Sequence, residues 1–314
     1  MYRILSLDGG GIRGLLTTRL LEKLNLALPG FLDQFDLFAG TSTGAIPALG
    51  LAAGFSPAEL SHIYQHHHRE VFKDSFWDNL KDGYMVWGAN YSHKGLQGVL
   101  ANFFGDRTLG DLKKRVLIPT VHLDNKATQE GKPRYWKAKF FHNFPEDKPE
   151  ADIHHLAADV ALRSTAAPVY FPLYQGYIDG GLAANNPSLC ALVQAIQAED
   201  KPLNDIMLLS LGTGKNPKFI PEQEGDWGLI QWAYRHKKAE IRALKYPLVE
   251  MMFEVNIGLA DYQCKQLLKT RYHRLDPLLP GPIDLDDCTQ IGRLNKLAGC
   301  CDIRETITWL KNHL

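Results

Sequence analysis

The sequence has no net charge and no long apolar run. Its 314 residues carry 35 lysine and arginine side chains against 35 aspartate and glutamate, so the formal net charge is zero. The chain as a whole therefore offers no electrostatic attraction to a nucleic-acid polymer or to an anionic lipid surface. No apolar stretch reaches the roughly 18 residues that a membrane-spanning helix needs. We expect no transmembrane segment, and any membrane contact to be peripheral and local.

Cysteine is also scarce. The five cysteines are an odd number, and no two of them have the CxxC spacing. This pattern argues against a disulfide framework and a structural zinc site, and it is typical of a reducing compartment. The N-terminus enters a strand-like run directly, without the basic start and apolar stretch of a secretory signal. We therefore expect a cytoplasmic protein without a metal.

What the sequence does contain is a repeated order of strand, glycine-rich turn and helix. This order predicts a three-layer α/β/α fold with a mainly parallel central sheet. From residue 216 to 314 the pattern becomes mostly helical, and we expect a single domain over residues 1–314. The periodicity predicts strands at 2–7, 35–39, 115–121, 136–142, 170–178 and 206–211, and helices at 15–28, 57–72, 95–104, 152–163, 187–198 and 237–270.

The sequence GTSTG at 40–44 lies between a predicted strand and a helix expected after Ser42. This is the spacing of a nucleophile elbow, a tight turn that exposes the serine hydroxyl above the sheet edge. The following helix would direct backbone N–H groups at developing negative charge. On its own, the GxSxG pattern is also a common chance turn.

Three consecutive glycines, Gly9, Gly10 and Gly11, follow the first predicted strand. Successive glycines can turn their N–H groups toward one anion, so this loop is a candidate oxyanion hole or phosphate-binding loop. Arg13 adds a positive charge nearby.

The same loop has an alternative interpretation. The pattern GxGxxG over 9–14, after a strand and before a helix, is also typical of dinucleotide-binding folds. That interpretation needs an acidic residue about 20 positions further on. Asp33 and Asp36 are near that distance, although Asp36 lies just inside the next predicted strand, which weakens the match.

A third turn, Asp179-Gly180-Gly181, closes a predicted extended segment. A partly desolvated carboxylate held about 2.6–3.2 Å from a serine hydroxyl can accept its proton directly. An Asp-Gly pair is also a frequent turn signal, so this motif alone does not identify a base.

Taken together, the three motifs make the sequence resemble the patatin-like phospholipases and the related calcium-independent phospholipases A. The resemblance covers roughly residues 1–215, and its motifs stand in the family's order. Ala45 departs from the family, in which glycine often follows the elbow, and Pro47 is unusual so early in a helix. The matching segments lie at 5–14, 40–44, 164–168, 170–172, 179–181, 185–187 and 209–214.

The resemblance implies a serine acyl hydrolase that cleaves ester bonds of lipids or phospholipids at a membrane surface. Ser42 would be the nucleophile and Asp179 its base, in a dyad that forms an acyl-enzyme. The Gly9–Gly11 backbone would form the oxyanion hole, with Arg13 beside it. No metal or cofactor would be required.

The resemblance also leaves regulation open. Some bacterial members are effectors that a host protein or a cyclic nucleotide activates, so a small-nucleotide activator is an alternative to constitutive activity. The sequence itself contains no recognisable activator site. Substrate class within the lipids, positional preference and oligomeric state stay open as well.

Three further features have two interpretations each. His62 and His66 have the spacing of metal ligands on a helix, but no third ligand is suggested and a solvated helix face is favoured. A downstream histidine could replace the aspartate as base, which is the weaker alternative. The dense apolar run at 244–259 is favoured as a buried core helix over a lipid-facing lid. The aromatic residues of 73–104 either wall an acyl-chain pocket or are ordinary packing.

Overall fold

The computed structural model describes residues 1–71, 89–126, 131–145, 151–222, 225–233 and 244–314. The strands are β1 (Tyr2–Leu7), β2 (Leu37–Gly40), β3 (Arg115–His122), β4 (Lys137–His142), β5 (Tyr177–Asp179), β6 (Ile206–Leu211) and β7 (Tyr272–Leu275). The helices are α1 (Gly14–Ala27), α2 (Ala45–Ala53), α3 (Pro57–Val71), α4 (Lys94–Phe104), α5 (Ala157–Ser164), α6 (Gly181–Ala184), α7 (Ser188–Ala198), α8 (Leu229–Ala233), α9 (Pro247–Leu268), α10 (Ile291–Cys300) and α11 (Arg304–His313).

The described strands form one sheet in the order β4-β3-β2-β1-β6-β7, with β5 paired to β3. The pairs of β1 with β2 and β6, of β2 with β3 and of β6 with β7 are parallel. Strands β4 and β5 run antiparallel to β3. The prediction of a mainly parallel sheet is therefore confirmed.

Helices cover the sheet on both faces. Because successive side chains of a strand point to opposite faces, β1 supplies two cores. Leu5 and Leu7 pack in a larger core with α1 and α2. Ile4 packs in a smaller core with Ala191 of α7 and Cys264 of α9. This alternation produces the predicted three layers.

Strands β2 and β5 share one edge of β3 and run toward each other. Near its start β3 pairs with β2, as far as Leu117, and from Thr120 onward it pairs with β5, while β4 occupies the opposite edge. The carboxyl ends of β2 and β5 therefore meet beside Pro119. Proline has no N–H group, so it leaves no donor unpaired at this junction.

The strand predicted at 170–178 is wrong over most of its length, since only the three residues of β5 are extended. Pro172 cannot donate to a ladder. Gln175 and Gly176 have positive φ angles of 52° and 85°, which end an extended run. Strand β7 was not predicted, because its four residues carry two charged or polar side chains.

Two predicted helices begin later than the pattern suggested. The helix predicted at 152–163 starts at Ala157, after a separate 3₁₀ turn over Asp152–His154. Helix α9 starts at Pro247, where proline suits the first helical position. The part of this prediction over 237–243 lies outside the described residues.

The C-terminal part packs onto the same cores as the N-terminal part. Leu294 of α10 and Leu310 of α11 belong to the larger core. The run predicted as core is buried on one face of α9 only. Its opposite face exposes an apolar stripe, which comprises Leu248, Met252, Val255, Leu259 and Tyr262. None of the described helices combines the length and hydropathy needed to cross a bilayer.

Candidate active site

Ser42 occupies a strained turn at the carboxyl end of β2. Its φ angle is +53°, which a residue with a Cβ rarely adopts. The turn continues as a 3₁₀ segment, Ser42–Gly44, and α2 follows at once. A Cβ on Gly44 would lie 2.4 Å from the Leu7 carbonyl oxygen, and one on Gly40 would lie 2.1 Å from the Gly44 carbonyl oxygen. The two glycines therefore permit the tight turn expected of a nucleophile elbow.

The structure brings Asp179 to Ser42 across 137 residues of chain. The Ser42 hydroxyl donates a hydrogen bond of 2.6 Å to Asp179 Oδ2, and the Gly181 amide donates one of 2.7 Å to Oδ1. The carboxylate is fully buried, and this burial raises its pKa to about 7 although both hydrogen bonds lower it. A base with a pKa near neutrality is suited to accept and return a proton.

Ser164 holds the elbow and the aspartate turn together. Its hydroxyl accepts the Ser42 amide at 2.9 Å and donates to the Pro119 carbonyl at 2.7 Å. Its own carbonyl accepts the Gly180 amide at 3.2 Å. Sequence reasoning missed this role, although Ser164 opens the 164–168 motif.

The glycine loop presents two amides to the same cavity as the dyad. The Gly9 amide donates to the Asn185 carbonyl at 3.0 Å, so it is occupied. Among the described residues, the Gly10 and Gly11 amides have no acceptor, and both glycines line the cavity. Gly11 has a φ of +59°, and a Cβ there would lie 2.1 Å from the Leu285 carbonyl oxygen. Only glycine fits this position.

Arg13 is buried behind the loop. Its Nε donates to the Gly10 carbonyl at 3.3 Å, and Nη1 donates to the Gly214 carbonyl at 3.2 Å. Its Nη2 forms an ion pair of 2.8 Å with Glu254 on α9. The guanidinium therefore braces the loop, and its donors are directed at protein acceptors.

The cavity above the dyad has a volume of about 80 Å³ and a mainly apolar lining. Its wall includes Ile46, Ile63, Leu96, Tyr170 and Phe253. A mainly apolar wall beside a hydrogen-bonded serine and carboxylate suits an ester that carries a hydrocarbon chain.

The structure describes three of the aromatic residues that were predicted either to wall an acyl-chain pocket or to be ordinary packing. Tyr91 packs against Phe171, which lines the cavity. Phe103 and Phe104 pack against Phe55 away from it, as ordinary core. The remaining aromatic residues of this prediction, Phe76, Trp77, Tyr84 and Trp87, lie outside the described residues.

The alternative histidine sites find no support in the described ranges. His62 and His66 stack on each other at 4.1 Å, and no group of three metal-ligating side chains occurs there. The Ser42 hydroxyl donates to Asp179 and to no described histidine. His273, one of the histidines downstream of Ser42, bonds to Thr306.

The dinucleotide interpretation conflicts with the topology. The acidic residue that it needs should stand at the carboxyl end of the second strand, next to the bound ribose. Asp33 and Asp36 both precede β2 and therefore lie at the opposite end from the glycine loop. The Asp36 carboxylate also accepts the Arg3 amide at 2.8 Å.

Comparisons with known proteins concern the chain as a whole. Residues 5–192 match the family model described as patatin-like phospholipase. The chain is 30% identical to CotR of Bacillus subtilis over 89% of this chain and 88% of CotR. It is 39% identical to a cGAMP-activated phospholipase of Vibrio cholerae, over 72% and 70% of the two chains. A cGAMP-activated phospholipase of Pseudomonas aeruginosa is 35% identical, over 88% and 78%.

Proposed function

The chain belongs to the patatin-like phospholipase family and is a lipid acyl hydrolase of the carboxylic-ester class, and we propose that it acts through Ser42 as nucleophile and Asp179 as base. The observation that carries this proposal is the 2.6 Å hydrogen bond from the Ser42 hydroxyl to the buried carboxylate. We further propose that residues 1–314 work as one catalytic domain, since Leu294 and Leu310 share a core with β1.

The reaction follows from the geometry in two steps. Ser42 Oγ attacks the ester carbonyl while its proton passes to Asp179 Oδ2, and the collapsing intermediate expels the alcohol, which takes that proton. Asp179 then accepts a proton from water, and the hydroxide attacks the acyl-enzyme. The fatty acid leaves and the proton returns to Ser42 Oγ, which restores the dyad.

Within the glycine loop we assign different roles to the four predicted residues. Gly10 and Gly11 supply the amides of the oxyanion hole, because each faces the cavity without an acceptor among the described residues. Gly9 and Arg13 hold the loop, because their donors already have protein partners.

Substitution of the nucleophile tests the proposal. We expect Ser42→Ala to abolish fatty-acid release from phospholipid vesicles and labelling by a fluorophosphonate. Ser61→Ala is the matched control, because Ser61 is a buried serine of α3 whose hydroxyl donates to Glu22. Fatty-acid release by Ser42→Ala at the rate of the control would rule the dyad out.

We propose that the exposed stripe of α9 makes the peripheral contact with the lipid surface. Its five apolar side chains are 45–64% exposed along one face, while Phe253 on the other face lines the cavity. The same helix therefore borders both solvent and the substrate cavity. Exposed apolar surface of this kind marks an interaction site.

Flotation with phosphatidylcholine vesicles tests the stripe. We expect Met252→Ser with Val255→Ser to lose vesicle binding while its melting temperature and its turnover of a monomeric short-chain ester are unchanged. The matched control changes two other exposed apolar residues, which lie on different helices and are 77% and 56% exposed, Leu26→Ser with Val193→Ser. Equal binding of the two double variants would exclude the stripe.

A regulated enzyme is a second candidate, favoured by the two relatives described as cGAMP-activated phospholipases. On this hypothesis the purified enzyme has little basal activity and gains it when cGAMP is added. Turnover that is equal with and without cGAMP would identify this chain as constitutive, or as responsive to another activator.

A further inference from the structure

Each amide of the oxyanion hole is aimed by whatever holds the carbonyl of the same peptide group. A trans peptide unit is planar, so its N–H and C=O groups point in opposite directions. A partner that fixes the carbonyl of residue 9 therefore fixes the direction of the Gly10 amide. A partner on the carbonyl of residue 10 does the same for the Gly11 amide.

The carbonyl of Gly9 is held by Thr213. The Thr213 hydroxyl donates to it at 3.1 Å, and Thr213 is buried in the loop that follows β6. A Cβ on Gly10 would lie 2.2 Å from this hydroxyl oxygen, so the threonine lies directly against the loop. The Gly10 amide consequently faces away from Thr213.

The carbonyl of Gly10 is held by Arg13, through its backbone amide at 3.2 Å and its Nε at 3.3 Å. Arg13 is itself anchored to the carbonyl of Gly214, the residue after Thr213. Thr213 therefore fixes the peptide group between Gly9 and Gly10 directly. Gly214 fixes the next peptide group through Arg13.

The 213–214 turn has its own buried support. The Gly214 amide donates to Asp276 Oδ1 at 2.9 Å, and Arg274 of β7 forms an ion pair of 2.9 Å with the same carboxylate. Arg274 also pairs with Asp8 at 2.6 Å and donates to Ser210 at the same distance. Apart from Asp8, this support comes from beyond residue 192, where the match to the family model ends.

We propose that Thr213 is a positioning residue, whose hydroxyl aims the Gly10 amide at the oxyanion by holding the Gly9 carbonyl. The proposal rests on the proposed function, since it presumes an oxyanion formed at Ser42. Thr213 itself touches neither substrate nor dyad. Its loss should therefore lower transition-state stabilisation while substrate binding and the base are unchanged.

Two substitutions separate the hydroxyl from the side-chain volume. Thr213→Val keeps the shape and loses the donor, while Thr213→Ser keeps the donor. The matched control is Thr18→Val, because Thr18 is an equally buried threonine whose hydroxyl donates to a backbone carbonyl, that of Leu15, at the same 3.1 Å. All rates are normalised to active sites titrated to completion with a fluorophosphonate.

For Thr213→Val we expect kcat to fall by about 10- to 100-fold, with KM within about twofold of the parent and the pH midpoint of kcat/KM unchanged. Thr213→Ser should restore kcat to within a few-fold. A purely structural role would reduce the titrated fraction and leave kcat per titrated site intact.

Two results would overturn the proposal: a normalised kcat for Thr213→Val that equals that of Thr18→Val, or a Thr213→Ser variant as slow as Thr213→Val. If Thr213→Val yields no folded protein, Thr213→Ala and Thr213→Ser decide by the same comparison. Activity that survives Ser42→Ala would instead refute the proposed function, whichever way the Thr213 variants behave.

Discussion

The two sides of Ser42 are built in different ways. On the side of the proposed base, which we call the base side, one carboxylate side chain contacts the hydroxyl, and the amide of its own turn holds that carboxylate. On the side of the proposed oxyanion hole, which we call the oxyanion side, the donors would be backbone amides, whose direction depends on Thr213, Arg13 and Leu285. One side is specified by the identity of a single residue, and the other by the placement of a loop.

This difference predicts which substitutions the site tolerates. A wrong residue at position 179 removes the base outright. Every residue except proline supplies a backbone amide at positions 10 and 11, so other substitutions can damage the oxyanion side only through geometry. Its failures should accordingly be graded, and those of the base side should be nearly complete.

Removing the base should give the largest effect. We expect Asp179→Asn to lower kcat by about 10³-fold or more, because the amide cannot accept the Ser42 proton. Asp152→Asn is the control, since Asp152 is another buried carboxylate and pairs with Lys139 outside the cavity. The measurement is the rate of vesicle hydrolysis by both variants. A kcat of Asp179→Asn within tenfold of that of the control would contradict the difference between the two sides.

Displacing the glycine loop should give a smaller loss. We expect Gly11→Ala to lower kcat by about 10²-fold, because its Cβ would collide with the Leu285 carbonyl and shift the amides. Gly105→Ala is the matched control: Gly105 has the same φ of +59°, and a Cβ there has nothing within 4 Å. If both variants lose activity equally, backbone strain alone is responsible and the oxyanion side is no more sensitive than a surface turn.

The smallest effect comes from titrating the base in the unmodified enzyme. The folded pKa of Asp179 is raised to about 7, and only the carboxylate accepts a proton. Activity should therefore be full above this pH and should fall about tenfold per unit below it. The measurement is kcat/KM against pH on a soluble ester. The Gly11→Ala variant should keep the same midpoint, and a shifted one would mean that the two sides are coupled.

The sequence predicted the pairing of Ser42 with Asp179, which the hydrogen bond between them shows, and the catalytic roles of the two residues stay predictions. Strand β2, the GTSTG turn and the Asp-Gly-Gly turn are local patterns, and the family resemblance joined Ser42 to Asp179 over a distance that periodicity cannot bridge. The short β5 was not predictable in detail, because the residue type of Gln175 does not indicate its positive φ angle. Cytoplasmic location stays a prediction from cysteine usage.

The oxyanion side was only half predictable. The three glycines predicted a loop that can bind an anion. The pattern did not distinguish the Gly9 amide, which donates to a protein carbonyl, from the amides of Gly10 and Gly11. The anchor at Leu285 acts through its backbone carbonyl, which leaves no mark on residue type. Thr213 lies in the 209–214 motif, but the carbonyl that it holds, that of Gly9, lies 204 residues away in the sequence.

The meeting of β2 and β5 beside Pro119 has a consequence for heat inactivation. Ser42 and Asp179 follow strands that both pair with β3, so the span between them is kept as long as β2 and β5 stay paired with that strand. We therefore expect the dyad to separate when the central sheet unfolds cooperatively, and not in an earlier local transition. On heating, the hydrolytic activity and the circular-dichroism signal of the sheet should fall with the same midpoint temperature.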